Sequence, residues 1–118
     1  MASVLPVEWV DIGHRLCAIL TQEAARYTPE ARQPILLDAV VFTRVLDPAN
    51  GLPGYVGILR NAQAQKCGSL VFNSDGSYYA EFDVLVLHPR KPRWFVEAVV
   101  VWGRDGKVTA EPRLLAAV

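Results

Sequence analysis

The sequence predicts an α+β fold: a long N-terminal helix packed on one face of a four- to five-stranded antiparallel meander sheet. Three observations carry this expectation. A long apolar stripe at spacings of three and four runs through residues 6–27. From residue 35 onward the periodicity is mostly two, in segments rich in branched and aromatic residues. Turn signals of the hairpin kind, Asn73 to Gly76 and Asp105-Gly106, divide the second half. A helix followed by consecutive strands is the α+β pattern.

The helix is placed at Pro6 to Tyr27. Proline suits a first helical position because its missing N–H would have no partner there. Glu8 and Asp11 put negative charge at the positive end of the helix dipole. Trp9, Ile12, Leu16, Ile19 and Leu20 form the apolar stripe, widened by Val10, Gly13, Cys17, Ala24 and Tyr27. Gly13 costs about 1 kcal/mol relative to alanine, so its use suggests a close approach to another element. The Thr28-Pro29 step ends the helix, since a residue before proline avoids helical dihedrals. Glu30 to Gln33 is read as one further helical turn.

Ile35 to Leu46 is expected to be one long strand, and its apolar character on both faces points to a central position. Asp47 to Gly54 is a loop. Tyr55 to Lys66 is read as a short helix from Tyr55, Ile58, Leu59 and Ala62, with a strand and turn as the alternative. Strands follow at Ser69–Phe72, Ser77–Leu87, Trp94–Gly103 and Val108–Arg113, with Leu114 to Val118 as a tail. Pro112 suits an edge strand.

The Asp105-Gly106 turn sets a register. It pairs Arg104 with Lys107, Trp102 with Thr109, Val101 with Ala110 and Val100 with Glu111. A loop at His88 to Arg93 then places Phe82 near Val99 and Val86 near Phe95. One face carries Tyr78, Ala80, Phe82, Val84, Val99 and Val101, and the helix should cover it. The other carries Tyr79, Glu81, Asp83, Leu85, Leu87, Trp94, Val100, Trp102, Glu111 and Arg113. One helix covers one side of a sheet, and a small chain rarely leaves a large apolar patch bare. The leading expectation is a non-enzymatic protein that forms a homo-oligomer or docks a protein partner through Tyr79, Leu85, Leu87, Trp94, Val100 and Trp102. Glu81, Asp83 and Arg113 would set the register of that contact. The alternatives are a ligand-binding or enzymatic cone in which Glu81, Asp83, Glu97 or Asp38 works inside a curled sheet, and a face covered within the chain by the second helical segment and the tail. Glu97 is expected on the helix side near Val84.

Composition narrows the classes further. The 118 residues suit about one domain. A chain 52% hydrophobic and 20% charged does not read as disordered. Twelve basic and twelve acidic residues cancel, which removes the electrostatic support for a nucleic-acid partner. The Arg90, Lys91, Arg93 and Trp94 cluster is better explained as a solvated loop. Apolar runs such as Ala98 to Trp102 are too short for a membrane span. Glu8 and Asp11 interrupt the N-terminal apolar stretch, no basic segment precedes it, and a cytoplasmic location is expected.

Cys17 and Cys67 form no C-x-x-C pair and are read as free buried thiols, with a disulfide as the alternative. His14 and His88 are read as surface residues. No metal or other cofactor is expected, because no ligand spacing, phosphate loop or nucleophile elbow is present.

Overall fold

The computed structural model describes residues 4–28 and 34–116. Helix α1 spans Val7–Tyr27, and a short 3-10 turn spans Leu37–Ala39. Six strands follow: β1 Val41–Leu46, β2 Pro53–Arg60, β3 Lys66–Phe72, β4 Ser77–Leu87, β5 Trp94–Arg104 and β6 Lys107–Ala116. They form one sheet in chain order, with every neighbouring pair antiparallel. The architecture is thus α+β, with an N-terminal helix packed on an antiparallel meander of six strands rather than four to five.

Pro6 precedes α1 in extended geometry, and its carbonyl accepts the Trp9 N–H at 3.0 Å. At the other end the Thr28 N–H and hydroxyl both donate to the Ala24 carbonyl at 2.9 Å, closing the last turn. Gly13, Leu16, Cys17, Leu20 and Ala24 are buried, following the expected stripe. A Cβ on Gly13 would stand 3.0 Å from a Leu37 methyl and 3.5 Å from the Phe72 ring, so the glycine does mark a close approach.

The core lies between α1 and β4–β5, where Leu16, Leu20, Leu70, Phe72, Val99 and Val101 are fully buried. Phe72 sits between Trp9 and Phe42, with ring centroids 5.2 and 5.9 Å away. Burying such a ring contributes about 2–3 kcal/mol. The buried Tyr78 satisfies its hydroxyl by donating to the Lys107 carbonyl at 2.6 Å. Arg15 reaches from α1 to the Gly106 carbonyl at 2.6 Å and tacks the helix to the β5–β6 turn.

The extra strand is β2, where a short helix was expected. Tyr55 and Leu59 point into the core at alternate positions, and Gly57 lies between them. A Cβ at Gly57 would fall 2.5 Å from Val40 and 2.7 Å from the Phe42 ring, so only glycine lets that ring lie across the strand. The missing side chain hides a period of two and leaves a chance helical period visible. The expected strand at Ile35 begins only at Val41. Before it, the Ala39 and Val40 N–H groups close a 3-10 turn onto Leu36 and Leu37, and the Ile35 N–H is held by the Thr21 hydroxyl oxygen at 2.9 Å. β1 is an edge strand, not a central one. β6 continues to Ala116, so most of the expected tail is strand. The expected turn at Glu30 to Gln33 lies outside the described residues.

Asp105 and Gly106 have φ of 54° and 82°, the two positive values of a type I′ turn. The β5–β6 register near it is as expected, as is the Phe82–Val99 pair. Farther along, the register shifts between Asp83 and Val86 on β4 and between Val96 and Ala98 on β5. Val86 therefore pairs with Val96 and Leu87 with Phe95, one step from the expected Val86–Phe95 pair. Leu85 takes a φ of 44° at this irregularity.

Candidate docking face on the sheet

Three ranks of side chains cross β4, β5 and β6 on the side away from α1. They are Tyr79–Trp102–Thr109, Glu81–Val100–Glu111 and Asp83–Ala98–Arg113. The alternate residues Tyr78, Ala80, Val99 and Val101 belong to the helix-side core. Among the described residues no helix lies over these three ranks. Even so, Ala98 is fully buried and Val100 nearly so, while the Trp102 ring keeps 36% exposure beside them. The accessible apolar surface here is therefore the Trp102 ring, beside aliphatic side chains that the chain's own neighbours already cover.

Arg113 organises the polar side of this face. Its Nη1 donates to Glu81 Oε2 at 2.9 Å and to the Tyr79 hydroxyl at 3.2 Å, and its Nε donates to Glu97 Oε2 at 3.1 Å. The Tyr79 hydroxyl in turn donates to Glu81 Oε2 at 3.1 Å. The Glu81 hydrogen bond is the largest influence raising the guanidinium pKa, so Arg113 stays charged. Partial burial, then the neighbouring Glu81, pushes the Tyr79 hydroxyl up and keeps it neutral.

Glu97 corrects the sequence expectation. It was placed on the helix side near Val84, yet its carboxylate meets Arg113. The register shift at Val96–Ala98 sets two β5 residues against one on β6, and this bulge redirects the glutamate.

The Asp83 carboxyl is pushed above its ordinary range, first by desolvation and then by repulsion from Glu81, with Arg113 and Lys66 pulling the other way. Ionisation of Asp83 therefore opposes folding, and its cost grows as pH rises through the raised pKa. Asp83→Asn should be more stable than wild type near pH 7 by no more than about 0.5 kcal/mol, because solvent screens this exposed group. The advantage should vanish near pH 3, where Asp83 is protonated in wild type. Urea unfolding at both pH values measures this, and an Asn variant less stable at pH 7 contradicts it.

Tyr79, Val100 and Trp102 are thus neighbours, together with Glu81, Asp83 and Arg113. Leu85 and Leu87 are largely exposed but lie at or beyond the β4 irregularity. Trp94, 40% exposed, pairs with Ala116 at the far end of β5. At roughly 3.3 Å per residue, it lies about 26 Å along the strand from Trp102. The six residues expected to bind a partner fall into two separate groups. Ala98 and Glu97 join the first group. A glutamate in a strand segment otherwise apolar was the one available sign of the bulge.

The acids of the alternative reading do not converge in a pocket. Asp38 is exposed on the 3-10 turn. A cleft of about 620 Å³ opens at the sheet margin, lined by residues including Ile35, Val40, Leu59, Cys67, Phe82 and Asp83. Of Glu81, Asp83, Glu97 and Asp38, it takes in only Asp83. His14 is exposed on α1. His88 Nδ1 accepts the Arg90 and Lys91 N–H groups at 3.0 Å, so this imidazole shapes its own loop.

Both cysteines are free thiols, but only Cys17 is buried as expected; Cys67 is half-buried because it lines the cleft at the sheet margin. Burial raises the Cys17 pKa to about 11, and burial with the nearby Asp83 charge also raises that of Cys67. Among the described residues no three His, Cys, Asp or Glu side chains gather to hold a metal, and no helix is long and apolar enough to cross a membrane. No protein-family model matches the chain, and neither a curated protein nor a solved structure resembles it at a significant level.

Proposed function

We propose that this chain acts by binding rather than by catalysis, docking a protein partner on the outer face of β4–β6. The observation that carries the reading is the accessible Trp102 ring beside Val100 and Ala98, on the sheet side without a helix. Accessible aromatic residues with charge at the margin are the composition of an interaction surface.

The charge pattern favours one kind of partner. Glu81, Asp83, Glu97 and Glu111 surround Val100 and Ala98, and Arg113 is already engaged by two of them. A second copy laid face to face would set carboxylates against carboxylates. A segment offering Lys or Arg beside apolar side chains would complement them. Three strands at about 4.8 Å spacing give a strip about 14 Å wide. That suits one helix, whose diameter is about 10–12 Å. The proposed partner is therefore a basic amphipathic helix.

The test is a selection of displayed peptides against the whole chain. Enriched sequences should carry Lys or Arg and apolar residues at helical spacing, and bind more weakly as salt rises. Trp102→Ala should weaken the selected peptides at least tenfold, equivalent to about 1.4 kcal/mol, with little change in melting temperature. Selected peptides that bind the Trp102→Ala and Glu81→Gln variants as well as wild type would place the docking surface elsewhere.

A further inference from the structure

We infer that the β1 edge pairs with the β1 edge of a second copy, antiparallel and two-fold about Thr43, joining the two sheets into one. This rests on strand geometry and does not depend on the docking face.

The phase of the β1–β2 ladder shows which backbone groups are free. The Asp47 N–H donates to the Leu52 carbonyl at 2.8 Å, one step beyond the Leu46–Pro53 pair. Hydrogen-bonded pairs alternate in an antiparallel ladder. Val45, Thr43 and Val41 therefore direct their amides to β2. Phe42, Arg44 and Leu46 direct theirs to the open edge, and among the described residues no strand lies beyond it. Pro53 fits this phase, since it falls at a non-bonded position opposite Leu46.

The opposite margin of the sheet is different. Arg104 and Lys107 close the two-residue turn as a bonded pair, so Val108, Ala110 and Pro112 face outward from β6. Pro112 has no N–H and breaks that row. Proline at such a position blunts an edge against further pairing. β1 has no proline, one charge, and Val41 and Val45 exposed at 65% and 48%.

A two-fold contact can adopt only registers that keep faces aligned. Centring it on Arg44 sets two guanidinium groups directly opposite, which is unfavourable. Centring it on Phe42 runs the strand into the 3-10 turn at Leu37–Ala39. Centring it on Thr43 places Val41 against the partner's Val45 on the outer side, and Phe42 beside the partner's Arg44 on the helix side. In this register the outward N–H groups of Phe42 and Arg44 donate to the carbonyls of the partner's Arg44 and Phe42, and their own carbonyls accept in return. With the Leu46 N–H and Val40 carbonyl at the ends, about six main-chain hydrogen bonds form. The net charge of zero leaves no long-range repulsion between copies.

Sedimentation equilibrium over a concentration series should show wild type approaching twice 13.0 kDa. Arg44→Pro removes an amide that faces only the open edge. It should weaken self-association at least tenfold while leaving far-UV circular dichroism unchanged. Cross-linking checks the register even if that variant fails to fold. Thr43 forms a non-bonded pair with its own symmetry mate, with Cα atoms about 4.5 Å apart, inside the range a disulfide spans. In a Cys67→Ser background, Thr43→Cys should cross-link under oxidised glutathione. Val45→Cys should not cross-link to itself, but should do so when mixed with Val41→Cys. A wild type that stays monomeric throughout overturns the inference. So does a Thr43→Cys variant that does not cross-link, or a dimer that Trp102→Ala dissolves and Arg44→Pro does not. That last result would move self-association to the outer face, whereas loss of peptide binding alone would count against the docking proposal and leave the edge contact standing.

Discussion

Phe72→Ala should destabilise the protein by about 4 kcal/mol, the range of a large aromatic truncation at a fully enclosed site. Phe72 has no exposed surface and lies between Trp9 of α1 and Phe42 of β1. Its removal leaves a cavity at the junction of helix, sheet centre and sheet edge. The neighbours can collapse only partly, because Gly13 already brings α1 close to Leu37 and Phe72. Domains of this size are commonly stable by about 5–15 kcal/mol, so a large share of the total is at stake. The melting temperature should fall by about 15 °C, and Phe72→Leu should lose about a third as much. Urea titration with matched calorimetry gives both numbers. A loss below about 1 kcal/mol for the alanine variant would mean that α1 does not pack here.

Gly103→Ala should cost about 3 kcal/mol for a different reason. The added Cβ would collide with the Lys107 carbonyl oxygen and stand 3.1 Å from the Tyr78 ring. The carbonyl is backbone and cannot swing aside, so the end of the β5–β6 hairpin must move. The same carbonyl accepts the Tyr78 hydroxyl, and that buried hydrogen bond goes with it. Gly106→Ala provides the comparison. It has open space around it but a φ of 82°, so the expected cost is only the left-handed penalty of about 1 kcal/mol. Chemical denaturation of the pair should rank Gly103→Ala as the more damaging. The reverse order would show that the turn conformation, not the close backbone approach, limits this hairpin.

The parts of the fold that could be read in advance are those governed by local chemistry. Asp105-Gly106 permits few turn geometries, so the pairing of Trp102 with Thr109 and Val100 with Glu111 followed from two residues. Leu16, Leu20 and Ala24 followed from helical spacing. The misreadings have non-local causes. Gly57 is required by the Phe42 ring from a neighbouring strand, and no local rule separates it from a loop glycine. Val41 and Val45 suggested a central strand, since apolar residues on both faces normally imply cover. The bulge at Glu97 arises where β5 must match two partners at once. Only the lone glutamate in an apolar segment hinted at it, and a separate irregularity on β4 between Asp83 and Val86 moved the expected Val86–Phe95 pairing by one. The neighbours on the outer face were legible where the type I′ turn controlled the register, at Tyr79, Val100 and Trp102. The positions of Leu85, Leu87 and Trp94 relative to them were not, since these lie at or past the irregularity.

The two thiols give the molecule clocks that run at different speeds. Cys17 is sealed on the inner face of α1, where burial raises its pKa to about 11 and holds the thiol protonated near pH 7. A labelling reagent reaches it only when the helix lifts from the sheet, so its modification rate counts those openings. Cys67 lines the cleft at the sheet margin and is partly accessible in the closed state. Following both adducts by mass in one sample separates the frequency of core opening from the intrinsic speed of the reagent, without adding a probe to the sequence.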